Sequence, residues 1–81
     1  MPILPAQCRA ARGLLAWSQE MLAKQADVGL STVRDLETER REISAAMATK
    51  IRTAFERAGV VFLDADGGGP GVRLRRRPKA R

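Results

Sequence analysis

The chain has 81 residues, with fifteen Lys or Arg against nine Asp or Glu, no His and a single Cys. That length makes one small domain with little core to spare. The missing His and the lone Cys8 leave no credible zinc site, no Ser-His or Cys-His pair and no internal disulfide. No constellation points to an enzyme, and no cofactor or small-molecule ligand is expected. With neither a signal peptide nor a long apolar stretch, a cytoplasmic protein without membrane contact is expected. The net charge of +6 implies a polyanionic partner. It is unevenly placed: Arg73, Arg75, Arg76, Arg77, Lys79 and Arg81 meet no acid after residue 72, whereas residues 1–72 carry nine basic and nine acidic side chains. The tail is either an arm for a polyanion or a solvated, solubilising end.

In chain order, residues 6–16 read as a helix that begins at Pro5, with Cys8, Ala11, Leu14 and Leu15 on one apolar stripe. Cys8 reads as a small core residue. Ser18 is placed to cap a second helix, 19–26, with Glu20 in its first turn and Leu22, Ala23 and Ala26 facing inward. Val28 lies in the following turn, bracketed by Asp27 and Gly29. A third helix, 30–38, turns Val33 and Leu36 inward and leaves Leu30, Ser31, Arg34 and Asp35 outside. After the charged connection Glu39-Arg40-Arg41-Glu42, Ser44 caps a fourth helix, 45–58. Its apolar face is Met47 or Ala48, Ile51, Ala54 or Phe55, and Ala58, and Gly59 stops it. The period then changes. Val60-Val61-Phe62-Leu63, the turn residues 66–71 and the alternating Val72-Arg73-Leu74-Arg75 predict a β-hairpin.

Two short helices joined by a tight turn, the second polar outside, are a device for placing a helix in the DNA major groove. In order, Arg12, Leu15, Ser18-Gln19-Glu20, Leu22-Ala23, Ala26, Val28, Ser31-Thr32-Val33 and Leu36-Glu37 resemble the lambda-repressor/Cro-like, or XRE, helix-turn-helix regulators over about residues 6–58. The resemblance implies a mainly α fold: a four- to five-helix DNA-binding domain with a C-terminal β-strand or β-hairpin extension. Arg12 and Glu37 correspond to a structural ion pair between the first and third helices. Gln19 corresponds to a phosphate-contacting residue at a helix N-terminus, with Ser18 beside it. Leu30, Ser31, Arg34 and Asp35 occupy the base-facing positions, and Thr32 faces phosphate or the groove wall. Arg34 suits the O6 and N7 of guanine; its alternative is a phosphate contact or solvent. Leu30 packs on a thymine methyl or belongs to the core or a dimer surface. Asp35 accepts from cytosine N4 or orients an arginine. Arg40 and Arg41 grip the backbone or remain solvated loop charges. The sequence departs from the family at Asp27 and Glu39, where glycine is frequent. A strained turn is expected at the first, and an altered end of the third helix at the second.

The expected organisation is a helix-turn-helix domain, 1–59, and a hairpin with a basic tail, 60–81, that serves dimerisation. Family members usually bind inverted repeats as two-fold dimers. Val60, Val61, Phe62 and Leu63 are the candidate dimer strand. Met47, Phe55 and Phe62 line either that contact or the core. The expected function is sequence-specific regulation of transcription, as repressor or activator, by a homodimer on double-stranded DNA, with RNA polymerase as a possible further partner. The rival is an antitoxin-like protein-interaction module with secondary DNA binding. An RNA-binding role lacks exposed aromatics to stack bases.

Overall fold

The computed structural model describes residues 3–64 and 67–75. The elements are α1 (Pro5–Leu15), α2 (Gln19–Ala26), α3 (Leu30–Thr38), α4 (Ala45–Arg57), β1 (Val60–Leu63) and β2 (Gly71–Leu74). Their starts follow local chemistry. Pro5 supplies the preset φ of a first helical residue, and the Gln7 side chain accepts the Leu4 N–H at 3.0 Å. The Ser18 and Ser44 hydroxyls accept the Met21 and Met47 N–H groups at 3.0 and 3.1 Å, satisfying amides that have no partner within a helix's first turn.

Three helices end the same way. Ala16, Asp27 and Glu39 stand in the left-handed region at φ 56°, 57° and 57°. The next residue's N–H then reaches back to close the last turn: Trp17 to Arg12 O, Val28 to Ala23 O and Arg40 to Asp35 O. None of the three is glycine, so each residue pays a steric penalty in this conformation. The chain therefore turns at Glu39 as it would at a glycine, and α3 does not run on. Glu39→Gly is expected to stabilise the protein by about 0.5–1 kcal/mol. The relieved strain of roughly 1–2 kcal/mol exceeds glycine's extra unfolded-state entropy. Differential scanning calorimetry should show a rise of about 4–8 °C per kcal/mol; an unchanged or lower midpoint would refute the strain.

The core joins all of these elements. Leu22, Val33, Ile51 and Phe55 are fully buried at its centre, and Val60 and Phe62 complete it from the hairpin. β1 packs on α4 and β2 on α1. The strands pair antiparallel, Val60 opposite Leu74 and Phe62 opposite Val72. Alternation turns Val60, Phe62, Val72 and Leu74 toward the helices and Val61, Leu63 and Arg73 away. Gln7 fastens the loop end of the hairpin to α1, its Nε2 donating to Leu63 O at 3.3 Å and Gly71 O at 3.1 Å. Trp17 stacks on Phe55 at 5.7 Å between centroids, and Phe62 tilts against Phe55 at 6.1 Å. The Arg52 guanidinium lies over the Phe62 ring at 4.7 Å.

Several expectations change here. Leu14 leaves the apolar stripe: it is 42 % exposed, because at 100° per residue it lies about 120° around the helix from Cys8. Ala58 is exposed, since α4 stops at Arg57 and Ala58 caps it. Of the paired alternatives, Ala48 is buried and Met47 exposed, whereas Ala54 and Phe55 are both buried. Within the aromatic stack Phe55 is core, which removes it from any dimer surface. Val60 and Phe62 are only 1 % and 7 % exposed; their side chains fill the core of their own chain, leaving Val61 and Leu63 as the accessible part of the candidate dimer strand. The basic tail from Arg76 to Arg81, and Asp66 of the turn, lie outside the described residues.

Candidate nucleic-acid interface

The third helix is held by a buried carboxylate. Glu37 is 5 % exposed, on the inner side of α3 beside Val33 and Leu36. A buried charge is costly unless paired and fully hydrogen-bonded, and both Glu37 oxygens are served. Oε2 accepts from Arg12 Nε at 2.7 Å and from the Cys8 thiol at 3.1 Å. Oε1 accepts from Arg12 Nη2 at 2.8 Å and from Gln19 Nε2 at 3.0 Å. Arg12 thus makes a bidentate clamp from α1 to α3. Its remaining nitrogen donates to Trp17 O at 3.0 Å, at the closed end of α1. Arg9 also donates to the Glu37 carbonyl, placing a cation at the negative end of α3.

The acid-base consequences follow from burial and partners. Burial pushes the Glu37 carboxyl up, but hydrogen bonds from Arg12, Cys8 and Gln19 and the charge of Arg12 outweigh it and hold the carboxyl below its ordinary value. The same hydrogen bond raises Arg12 against a smaller opposing effect of burial. Burial, then the hydrogen bond and charge of Glu37, push the Cys8 thiol far up, so it serves as a donor and is a poor nucleophile. A depressed carboxyl stabilises the fold fully above its unfolded value of about 4.3, and that stability is lost as pH falls through the folded value. Urea midpoints measured from pH 6 to pH 2 are expected to fall more steeply for the wild type than for Arg12→Met/Glu37→Met. Parallel curves would show that Glu37 contributes nothing to the acid limb.

The outer side of α3 presents Ser31 and Arg34 as exposed side chains and Thr32 as a half-buried one. The Thr38 hydroxyl donates to the Arg34 carbonyl at 2.7 Å. Leu30 is half-buried and packs partly on the core. Asp35, partly buried, pairs with the exposed Arg41, Oδ2 to Nε at 3.8 Å, rather than with Arg34; this is a loose pair of small energetic weight. Arg40 is exposed just past α3. Ser18 and Gln19 stand at the start of α2, Ser18 with its hydroxyl occupied by the Met21 N–H and Gln19 with its amide on Glu37.

This is a short helix, α2, a tight turn at Asp27–Gly29 and a second helix with a buried inner row and a polar outer row. A family model described as helix-turn-helix matches residues 9–58. The chain belongs to the lambda-repressor/Cro-like (XRE) family of helix-turn-helix DNA-binding regulators. A comparison with curated proteins finds no match. The XRE assignment covers α1 to α4, and within it the Arg12–Glu37 clamp ties α1 to α3. The match ends at the last turn of α4, so the hairpin lies outside it. Among the described residues no helix is long and apolar enough to cross a membrane.

Three participants escaped the sequence reading: Gln7, Cys8 and Arg9. Gln7 carried one usable signal, since it lies one turn before Ala11 on the same face of α1, where a polar residue needs buried partners. Arg9 and the thiol of Cys8 carried none, because their acceptors lie 28 and 29 residues away on α3.

Proposed function

We propose that this XRE-family protein regulates transcription by binding an inverted-repeat operator as a homodimer, with α3 in the major groove of each half-site. One observation carries this reading: Ser31 and Arg34 stand exposed on a helix whose opposite side is locked by Val33, Leu36 and the Glu37 network. A rigidly held helix keeps a reading side chain in register with the base edges. Arg34 reads a guanine through O6 and N7. Ser31 contacts a neighbouring base or phosphate, Leu30 offers its exposed part to a thymine methyl, and Asp35 holds Arg41 or accepts from a cytosine. Ser18, Gln19, Thr32, Arg40 and Arg41 meet the phosphate backbone. Val61 and Leu63, on the outward side of β1, are the part of the hairpin available to a second copy. Occupying an operator excludes polymerase, which makes repression the simplest output; contact with RNA polymerase would make it an activator.

Selection of bound sequences from random duplex DNA tests the proposal, and an inverted repeat is the expected result. In a shift assay on the selected duplex, Arg34→Ala is expected to cost about 1–3 kcal/mol of discrimination at one base pair per half-site. Equal, sequence-blind binding by wild type and variant would sink the base-reading role.

A further inference from the structure

We propose that Glu37 is a positioning residue for DNA-backbone contact: its carboxylate fixes the Gln19 carboxamide so that the amide nitrogen, and not the oxygen, faces a phosphate. The inference rests on the reading that the start of α2 meets the backbone. A carboxylate can only accept, so the 3.0 Å contact between Gln19 and Glu37 Oε1 commits the NH2 end of the amide to Glu37. A primary amide nitrogen carries two hydrogens. One is held by Glu37, and the planar geometry at nitrogen directs the other away from it. Gln19 is half-exposed and is the first residue of α2, where first-turn amides have no partner within the helix, so a phosphate meeting this helix start is within the reach of that second hydrogen.

The rest of the network makes this orientation firm. Glu37 cannot swing toward solvent, because Arg12 grips both of its oxygens and Cys8 holds Oε2. Without the carboxylate, Gln19 would present oxygen or nitrogen with similar ease, and the oxygen would repel a phosphate. The carboxylate that ties α1 to α3 therefore also sets the polarity of a side chain on α2.

The test is a cycle on the duplex recovered in the selection. Gln19→Met is expected to weaken wild-type binding about tenfold, the scale of one hydrogen bond to a charged group. In the Arg12→Met/Glu37→Met background, where the carboxylate is gone, the same change is expected to cost threefold or less. Arg34→Ala should cost the same in both backgrounds, because buried Val33 and Leu36 still seat α3 on the core; a smaller cost in the double variant would show that the loss at Gln19 reflects a displaced α3 and would overturn the positioning role. An equal tenfold loss in both would overturn positioning by Glu37 while leaving the phosphate contact standing. No loss from Gln19→Met in the wild type would overturn the contact itself. A measurement on the wild-type protein alone covers failure of the double variant to fold. The two side-chain amide protons of Gln19 are followed by NMR as the duplex is added. The outward proton is expected to shift while the one facing Glu37 keeps its position; movement of the Glu37-facing proton would mean that Gln19 abandons Glu37 to reach DNA, and would overturn the proposal.

Discussion

Arg12→Met is expected to lower the unfolding free energy by about 3–5 kcal/mol, the scale for stranding one member of a buried pair. The variant keeps most of the arginine's apolar bulk but removes both grips on Glu37, leaving a buried carboxylate with only the Cys8 thiol and the Gln19 amide as donors. At roughly 0.05–0.15 kcal/mol per residue, 81 residues have about 4–12 kcal/mol of stability, so the loss is a large share of the total. Its pH dependence inverts as well. Without Arg12, burial dominates and raises the Glu37 carboxyl above its unfolded value, so the single variant gains stability between pH 7 and pH 5, where the wild type stays level and loses stability only below about pH 4.3. Arg12→Met/Glu37→Met is expected to recover to within about 1–2 kcal/mol of wild type, because an apolar pair in a buried site carries no desolvation cost. Urea unfolding of the two single variants and the double at pH 5 and pH 7 checks this. A single-variant loss below 1 kcal/mol, or no recovery in the double, would show that the clamp is incidental to stability.

Phe55→Ala should cost about 3–5 kcal/mol through lost burial and the cavity left behind. The site is unusual because three parts of the chain meet there: Trp17 from the α1–α2 connection, Phe55 from α4 and Phe62 from β1. Phe55 is wholly buried, and its removal takes away both ring contacts, each worth roughly 0.5–1.5 kcal/mol beyond area. The damage therefore reaches the hairpin. Amide hydrogen exchange at Val61 and Arg73, whose paired positions lie mid-ladder, is expected to accelerate more than at Val33 in α3. Phe55→Leu, which fills part of the space, should lose less than half as much. Uniform acceleration across the chain, or a loss under 1 kcal/mol, would count against a shared aromatic core.

The two sites differ in how readable they were. The aromatic stack was legible only as a set of apolar positions, because periodicity shows that Phe55 and Phe62 turn inward or to a partner but not which. The Arg12–Glu37 clamp came from family resemblance; nothing in the spacing of two residues 25 apart marks them as partners. Local rules served well where the determinant is local. Ser18 and Ser44 announce two helix starts, Gly59 ends α4, and the change from helical to alternating period gives both strands. They fail at Leu14, an apolar residue whose spacing from Ala11 suggests the buried stripe but which helix geometry turns to solvent. They also fail at Ala58, where the capping turn takes the residue away from the apolar face.

What the sequence determined by itself is the set of elements and which of them carries a polar outer row. Backbone propensity, capping and the polar outer row of residues 30–35 are properties of neighbours in the chain. Only the tertiary structure decided which groups satisfy one another. Gln7 closes the hairpin onto α1 across 56 and 64 residues, and Cys8 and Gln19 join Arg12 on a single carboxylate. It also decided that Val60 and Phe62 belong to their own chain's core. The reason is the same throughout: a buried polar group must find every partner it needs, and those partners come from whatever the fold brings alongside rather than from neighbours in the chain.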